Sequence, residues 1–351
     1  MIGPRQAVRV YPVHVRYVVE EPEGSADPVQ FASSVLADPV NTAILGAGAV
    51  TVLLAVIGYV RVRPFARDLA VLRLTLGSYQ DLLPWLLRIS LGMPLVGAGF
   101  AGYYFSPEAG ISARLFLVGV GFLLLFGLAT RFVAMVTLLA YLVAVPAAPD
   151  LLLANEYVGG LLAIALLGGG RPSADHVLGQ VASAPGTLYG RIDPVWRVAS
   201  TFRDRVGPYR AYLPTLVRAT LGINFLFLGV SQKLLQPARA NAVVEKYDLA
   251  AAVPVDPGLW VLGAGLAEAA VGTALLLGLF TRAASGIAFG LFTSTLFALP
   301  DDPVLAHLSL FGLVSVLIVT GGGPLSLDRR LFATEGDDGV GVDRGRASQG
   351  D

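Results

Sequence analysis

The stretch Leu259 to Arg282, LWVLGAGLAEAAVGTALLLGLFTR, holds one carboxylate, Glu268, inside an otherwise apolar, small-residue run. An apolar run of this length reads as a helix that crosses a bilayer. At ~1.5 Å rise per residue, a span from Gly258 to Gly278 puts Glu268 about 15 Å from either end, near the centre of a ~30 Å hydrocarbon layer. An ionisable side chain there costs about 3 kcal/mol or more and by default marks a site. Ala264 and Gly265 lie one turn before it and Gly272 one turn after, so another helix can approach closely. A carboxyl packed in this way needs a proton or a neighbouring cation.

Composition extends the reading to the whole chain. Of 351 residues, 55% are hydrophobic and 14% charged, too little polar surface for a soluble protein of this size. The chain is expected to be an all-α integral membrane protein. Net charge is zero, so nothing points to nucleic acid or a polybasic membrane anchor. The absence of cysteine excludes disulfides, cysteine-bound iron–sulfur clusters, c-type haem attachment and thiol catalysis. Only His307 of the three histidines lies in an apolar segment, which excludes a bis-histidine haem within the bilayer. Lys233 and Lys246 are the only lysines, so a lysine at a membrane boundary is not routine usage in this chain.

About nine spans are predicted. Residues 1–38 read as an N-terminal arm with a short alternating segment, Val8 to Val19, and no secretory signal; His14 reads as a surface residue of this arm. The first span covers 39–62. Four more run from Pro84 to Tyr104, Ile111 to Leu128, Phe132 to Val145 and Leu151 to Leu167. After a polar, arginine-rich linker at 176–211 come Pro214 to Leu235, Leu259 to Leu279, Ala283 to Leu299 and Val304 to Thr320. With nine alternating spans, the loops holding Arg61 to Arg73, Arg131, Arg171 to Arg218, Arg282 and Arg329 to Arg330 share one side, which the positive-inside rule makes cytoplasmic. The arm is then outside, and the acidic, Gly-rich tail at 332–351 is cytoplasmic and disordered.

Three blocks recur in order. PWLLRISLG (84–92) answers PTLVRATLG (214–222), GLATR (127–131) answers GLFTR (278–282), and GGGRPSAD (168–175) answers GGGPLSLD (321–328). Each block sits at the same place relative to four apolar spans, so the expected architecture is one N-terminal span plus two tandem parallel four-helix repeats, at 84–175 and 212–331. The blocks have local physical roles. In GLFTR, Gly278 relaxes the helix end, Thr281 can cap the next helix and Arg282 can meet lipid headgroups. In the closing block, Ser326 or Asp328 can cap a short helix.

Arg218, Leu221, Gly222, Phe225, Leu226, Gly229, Lys233 and Leu234, with the GLFTR turn and the closing GGG-x-x-SLD, resemble the DoxX-like family of prokaryotic four-helix membrane proteins. The second copy resembles the family pattern and the first a degenerate form of it. Some relatives are named as membrane subunits of thiosulfate:quinone oxidoreductase or of a terminal quinol oxidase. The resemblance therefore implies a multi-pass protein of the prokaryotic cell membrane, with quinone as a possible ligand, a possible redox partner subunit and a possible homo-oligomer.

Comparison of the copies isolates four polar residues: Asn224 answers Pro94, Lys233 answers Tyr103, Glu268 falls opposite Leu117, and His307 opposite Ala154. A site is thus expected in the second copy. Depth puts Asn224 and Glu268 near the midplane, and Lys233 and His307 nearer the outer ends. Asn224 and Lys233, nine residues apart, share a bundle only if the helix bends, for which Gly229 is the natural place. Glu268 and His307 are the candidate proton-handling residues, and Asn224 and Lys233 the candidate contacts to a quinone headgroup; no metal cluster is read. A non-catalytic assembly protein, whose polar residues only lock helices, is the alternative. A small-solute transporter fits less well, because no Gly/Pro-interrupted span is evident near Glu268.

Overall fold

The computed structural model describes residues 27–107, 109, 111, 113–192, 194–300 and 304–332. The predicted segment Val8 to Val19, His14 and most of the tail lie outside these residues. The described chain is helical, with no named strand among the described residues.

Residues of the expected arm form a helix, α1 (Pro28–Ala37), followed by α2 (Pro39–Val62). Asp27 and Asp38 accept from the free N–H groups of Val29 and Val40 at the two helix starts. After α3 (Ala66–Gly77) come α4 (Leu83–Ala101), α5 (Arg114–Phe126), α6 (Thr130–Ala144) and α7 (Glu156–Leu167). The linker folds into α8 (Ala174–Ser183), α9 (Leu188–Ile192) and α10 (Pro194–Val206). Then follow α11 (Leu213–Leu226), a π-helical turn (Phe227–Leu234), α12 (Pro237–Lys246), α13 (Leu249–Ala252), α14 (Pro257–Leu277), α15 (Thr281–Ala298), α16 (Val304–Thr320) and α17 (Leu327–Phe332).

Four continuous helical runs are long and apolar enough to cross a membrane by length and composition: Pro39–Val62, Ala66–Ala101, Ser200–Leu234 and Pro257–Leu277. Helices α5, α6, α7 and α16 are apolar but shorter. The fifth expected span differs most from its reading, since Pro149–Ala154 is a 3₁₀ turn and the α-helix begins at Glu156.

The quoted blocks form two sets of equivalent hydrogen bonds. Arg88 donates to the carbonyls of Leu124, Leu125, Gly169 and Pro172. Arg218 donates to those of Leu275, Leu276, Gly322 and Leu325. In each set a buried guanidinium joins two carbonyls at the C-terminal end of one helix to two carbonyls of the closing glycine-rich turn. Asp175 accepts from the N–H groups of Ala129 (2.6 Å) and Thr130 (2.8 Å), and Asp328 from those of Phe280 (2.6 Å) and Thr281 (2.8 Å). Asp328, not Thr281, thus caps α15, while Ser326 accepts from Arg329 N–H at the start of α17. Arg282 turns inward and donates to the carbonyls of Ile318 and Val319, as Arg131 does to those of Ala165, Leu166 and Leu167. The last turns of α16 and α7 therefore hold Arg282, expected at the headgroups, and Arg131, because free carbonyls and the helix dipole favour a cation there.

Helix contacts match in the same way. Backbones approach at Gly92 and Gly121 between α4 and α5, and at Gly222 and Gly272 between α11 and α14. Across the middle α4 packs on α16, α11 on α7, and α7 on α16. Gly159 faces Thr220 and Gly312 faces Ser90. The main hydrophobic core, containing Leu91, Leu161, Leu221 and Val314, runs through α4, α7, α11 and α16, with smaller clusters around Val244 and Leu259. Helix α2 is tied at its ends, by Asn41 to the Val35 carbonyl and by Tyr59 against Phe280 and Phe332, and is exposed between.

Candidate functional site

Glu268 and Lys233 are brought together. The Lys233 Nζ donates to both Glu268 oxygens, at 2.8 and 2.7 Å. The pair is partly buried, with side-chain exposures of 24% for Lys233 and 18% for Glu268. Its position follows from the backbone. Gly229 lies against α14 so closely that an added Cβ would come within 2.6 Å of the Gly265 carbonyl and 2.8 Å of the Ala269 nitrogen. The chain from Phe227 to Leu234 is wound as a π-helix, a form concentrated at functional sites. The wider turn rotates Lys233 away from its ideal α-helical direction and onto the face of Glu268. A π-helical turn thus stands at Gly229, where a bend is expected, and the run Ser200–Leu234 remains one continuous helix.

Depth alone had grouped Glu268 with Asn224, and the structure separates them. A lysine side chain about four methylenes long crosses more than one helical turn, so backbone depth does not decide its partner. Asn224, 3% exposed, donates instead to the Leu153 carbonyl (3.1 Å) and to Glu156 Oε2 (3.4 Å). Ser309 Oγ donates to Glu156 Oε1 at 3.2 Å. His307 is buried on α16, with its ring centroid 6.2 Å from that of Phe292 on α15. Ser309, two positions on, points about 200° around the same helix, so His307 and the Glu156 group occupy different faces.

Glu156 is the residue that the sequence reading missed. Its signal was that of Glu268, a lone carboxylate in an apolar span. Comparing copies from the second toward the first passes over it, because its counterpart, Ser309, is not ionisable. The expectation of a site in the second copy takes no account of Glu156, which lies in an earlier span at the start of α7. Among the described residues no group of three or more His, Cys, Asp or Glu could hold a metal ion. His176 is half-buried at the edge of a surface depression it shares with Asp81, Arg171 and Gln180.

Apolar helices of membrane-crossing length, with an ion pair and a carboxyl group buried among them, define a helical membrane protein. The DoxX family model matches residues 213–308, from the first turn of α11 into α16. The matched segment is similar to a DoxX domain, and the ion pair Lys233–Glu268 lies within it. No curated protein and no solved structure matches the chain.

Proposed function

We propose that this chain is a quinone-interacting membrane subunit, with the redox centre on a partner protein and Lys233 and Glu268 as its headgroup contacts. The carrying observation is the placement of an ammonium donor and a carboxylate acceptor side by side, partly open, in an otherwise apolar helix pair. That donor set fits the ligand: Lys233 donates to a carbonyl oxygen, and Glu268 accepts a hydroxyl proton. A bound quinone supplies two-electron, two-proton chemistry, while the chain orients the headgroup and exchanges its proton at Glu268. His307 is the second proton-handling residue in this reading, and Asn224 acts through the Glu156 group rather than on the headgroup. The matched arginine and aspartate bonds support two tandem DoxX-like halves, and with them nine spans, an outer N-terminus and a cytoplasmic C-terminus in a prokaryotic cell membrane.

The test is photolabelling of the protein in native membranes with an azido-quinone. Labelling is expected near α14 and is lost in Glu268→Gln and Lys233→Met. Unchanged labelling in both variants sinks the proposal.

The second reading, a non-catalytic assembly protein, is favoured by one fact: each partner of the ion pair already satisfies the other. It requires both variants to lose stability while every membrane activity is retained.

A further inference from the structure

We propose that Glu156 is a proton-binding site built between the two halves of the molecule, separate from the Lys233–Glu268 pair. Glu156, Asn224 and Ser309 are 5%, 3% and 0% exposed. They come from three helices, α7, α11 and α16, and meet where the halves pack. Glu156 is the first residue of α7, eleven residues or roughly 16 Å from the helix's far end, which places it deep in the apolar layer.

The surroundings support the carboxyl group in both states. The α7 N-terminus, Ser309 Oγ and Asn224 Nδ2 all offer positive or donor character to a carboxylate. Burial without an ion-pair partner among the described residues supports the neutral acid. The Asn224 Oδ1 is buried with no hydrogen-bond partner among the described residues, and rotation of the amide would turn this acceptor toward the acid proton in place of Nδ2. Proton uptake forms one O–H bond on a Glu156 oxygen and breaks no bond in the protein.

The neighbouring ionisable groups leave this assignment open to no internal cation. Tyr141 on α6 gives its hydroxyl proton to the Leu151 carbonyl at 2.7 Å, and Tyr157 on α7 and Tyr103 after α4 complete the aromatic wall. Arg88 and Arg218 are committed to carbonyls, Lys233 to Glu268, and Arg210 precedes α11 at the opposite end of α7. His307 points about 200° away from Ser309 on α16. A metal cation is disfavoured by the positive end of α7.

The test is pH-difference infrared spectroscopy of the full-length protein in liposomes. Among the 25 Asp and Glu residues, one carboxylic-acid carbonyl component is expected on acidification that is absent in Glu156→Gln and retained in Glu268→Gln. Ser309→Ala and Asn224→Leu keep Glu156 and are expected to shift the pH midpoint of that band. The proposal is overturned if the band survives in Glu156→Gln, if neither neighbour variant moves its midpoint, or if sodium at constant ionic strength abolishes it, which would make the ligand a metal cation.

Discussion

Arg218 shows how one side chain can organise a helix bundle. It is 4% exposed and serves four carbonyls from two segments. Hydrogen bonds to charged donors are worth about 1.5–3 kcal/mol each when partners are left buried and unmatched. Arg218→Leu is therefore expected to lower stability by about 3 kcal/mol or more, read as the thermal unfolding midpoint in detergent. Arg218→Lys should recover little of it, because a single ammonium cannot span the fork. The ion pair predicts a different pattern. Removing either partner leaves a charge without its counter-ion, whereas removing both does not. Lys233→Met and Glu268→Leu should each destabilise, and the double variant should be more stable than either single one. Equal additive losses would mean that the pair contributes nothing as a pair.

At the scale of elements, the π-turn at 227–234 lies where Gly229 meets α14, and a 3₁₀ turn at Pro149–Ala154 leads into Glu156 at the start of α7. Gly229 against Gly265 brings the two backbones into contact and sets the direction of Lys233. Gly229→Leu is expected to push α11 from α14 at an overpacking cost of about 1–3 kcal/mol. It should also abolish azido-quinone labelling while leaving Glu268 in place. Labelling at the wild-type level would show that the turn does not position the site. The small-residue face around Glu268 was legible from Ala264, Gly265 and Gly272. The π-turn was not, because local sequence marks where a helix can distort but not the extra residue per turn that it adopts.

On the scale of the whole molecule, α4, α7, α11 and α16 pack together, and α2 lies outside them, touching at its ends. The predicted orientation has a direct check, because the chain contains no cysteine and any introduced thiol is the only one. Ser33→Cys on α1 should react with an impermeant maleimide on intact cells. Ser183→Cys at the end of α8 should react only after permeabilisation. The reverse pattern would invert the topology and place the arginine-rich loops outside, against the charge bias that sets orientation.

Composition, apolar run length and the three recurring blocks determined by themselves that this is a helical membrane chain, where its turns fall, and that Glu268 and Lys233 are exceptional. Those features are local: hydropathy, spacing and glycine placement act within one or two turns of chain. Only the tertiary structure decided which polar groups meet. It paired Lys233 with Glu268 across a distorted helix and sent Arg282 inward to free carbonyls. It also joined Asn224 and Ser309 to Glu156, a residue from the other half. Such contacts depend on helix rotation and on the approach of segments far apart in the chain, and a rotation of one residue, about 100°, is enough to exchange one partner for another.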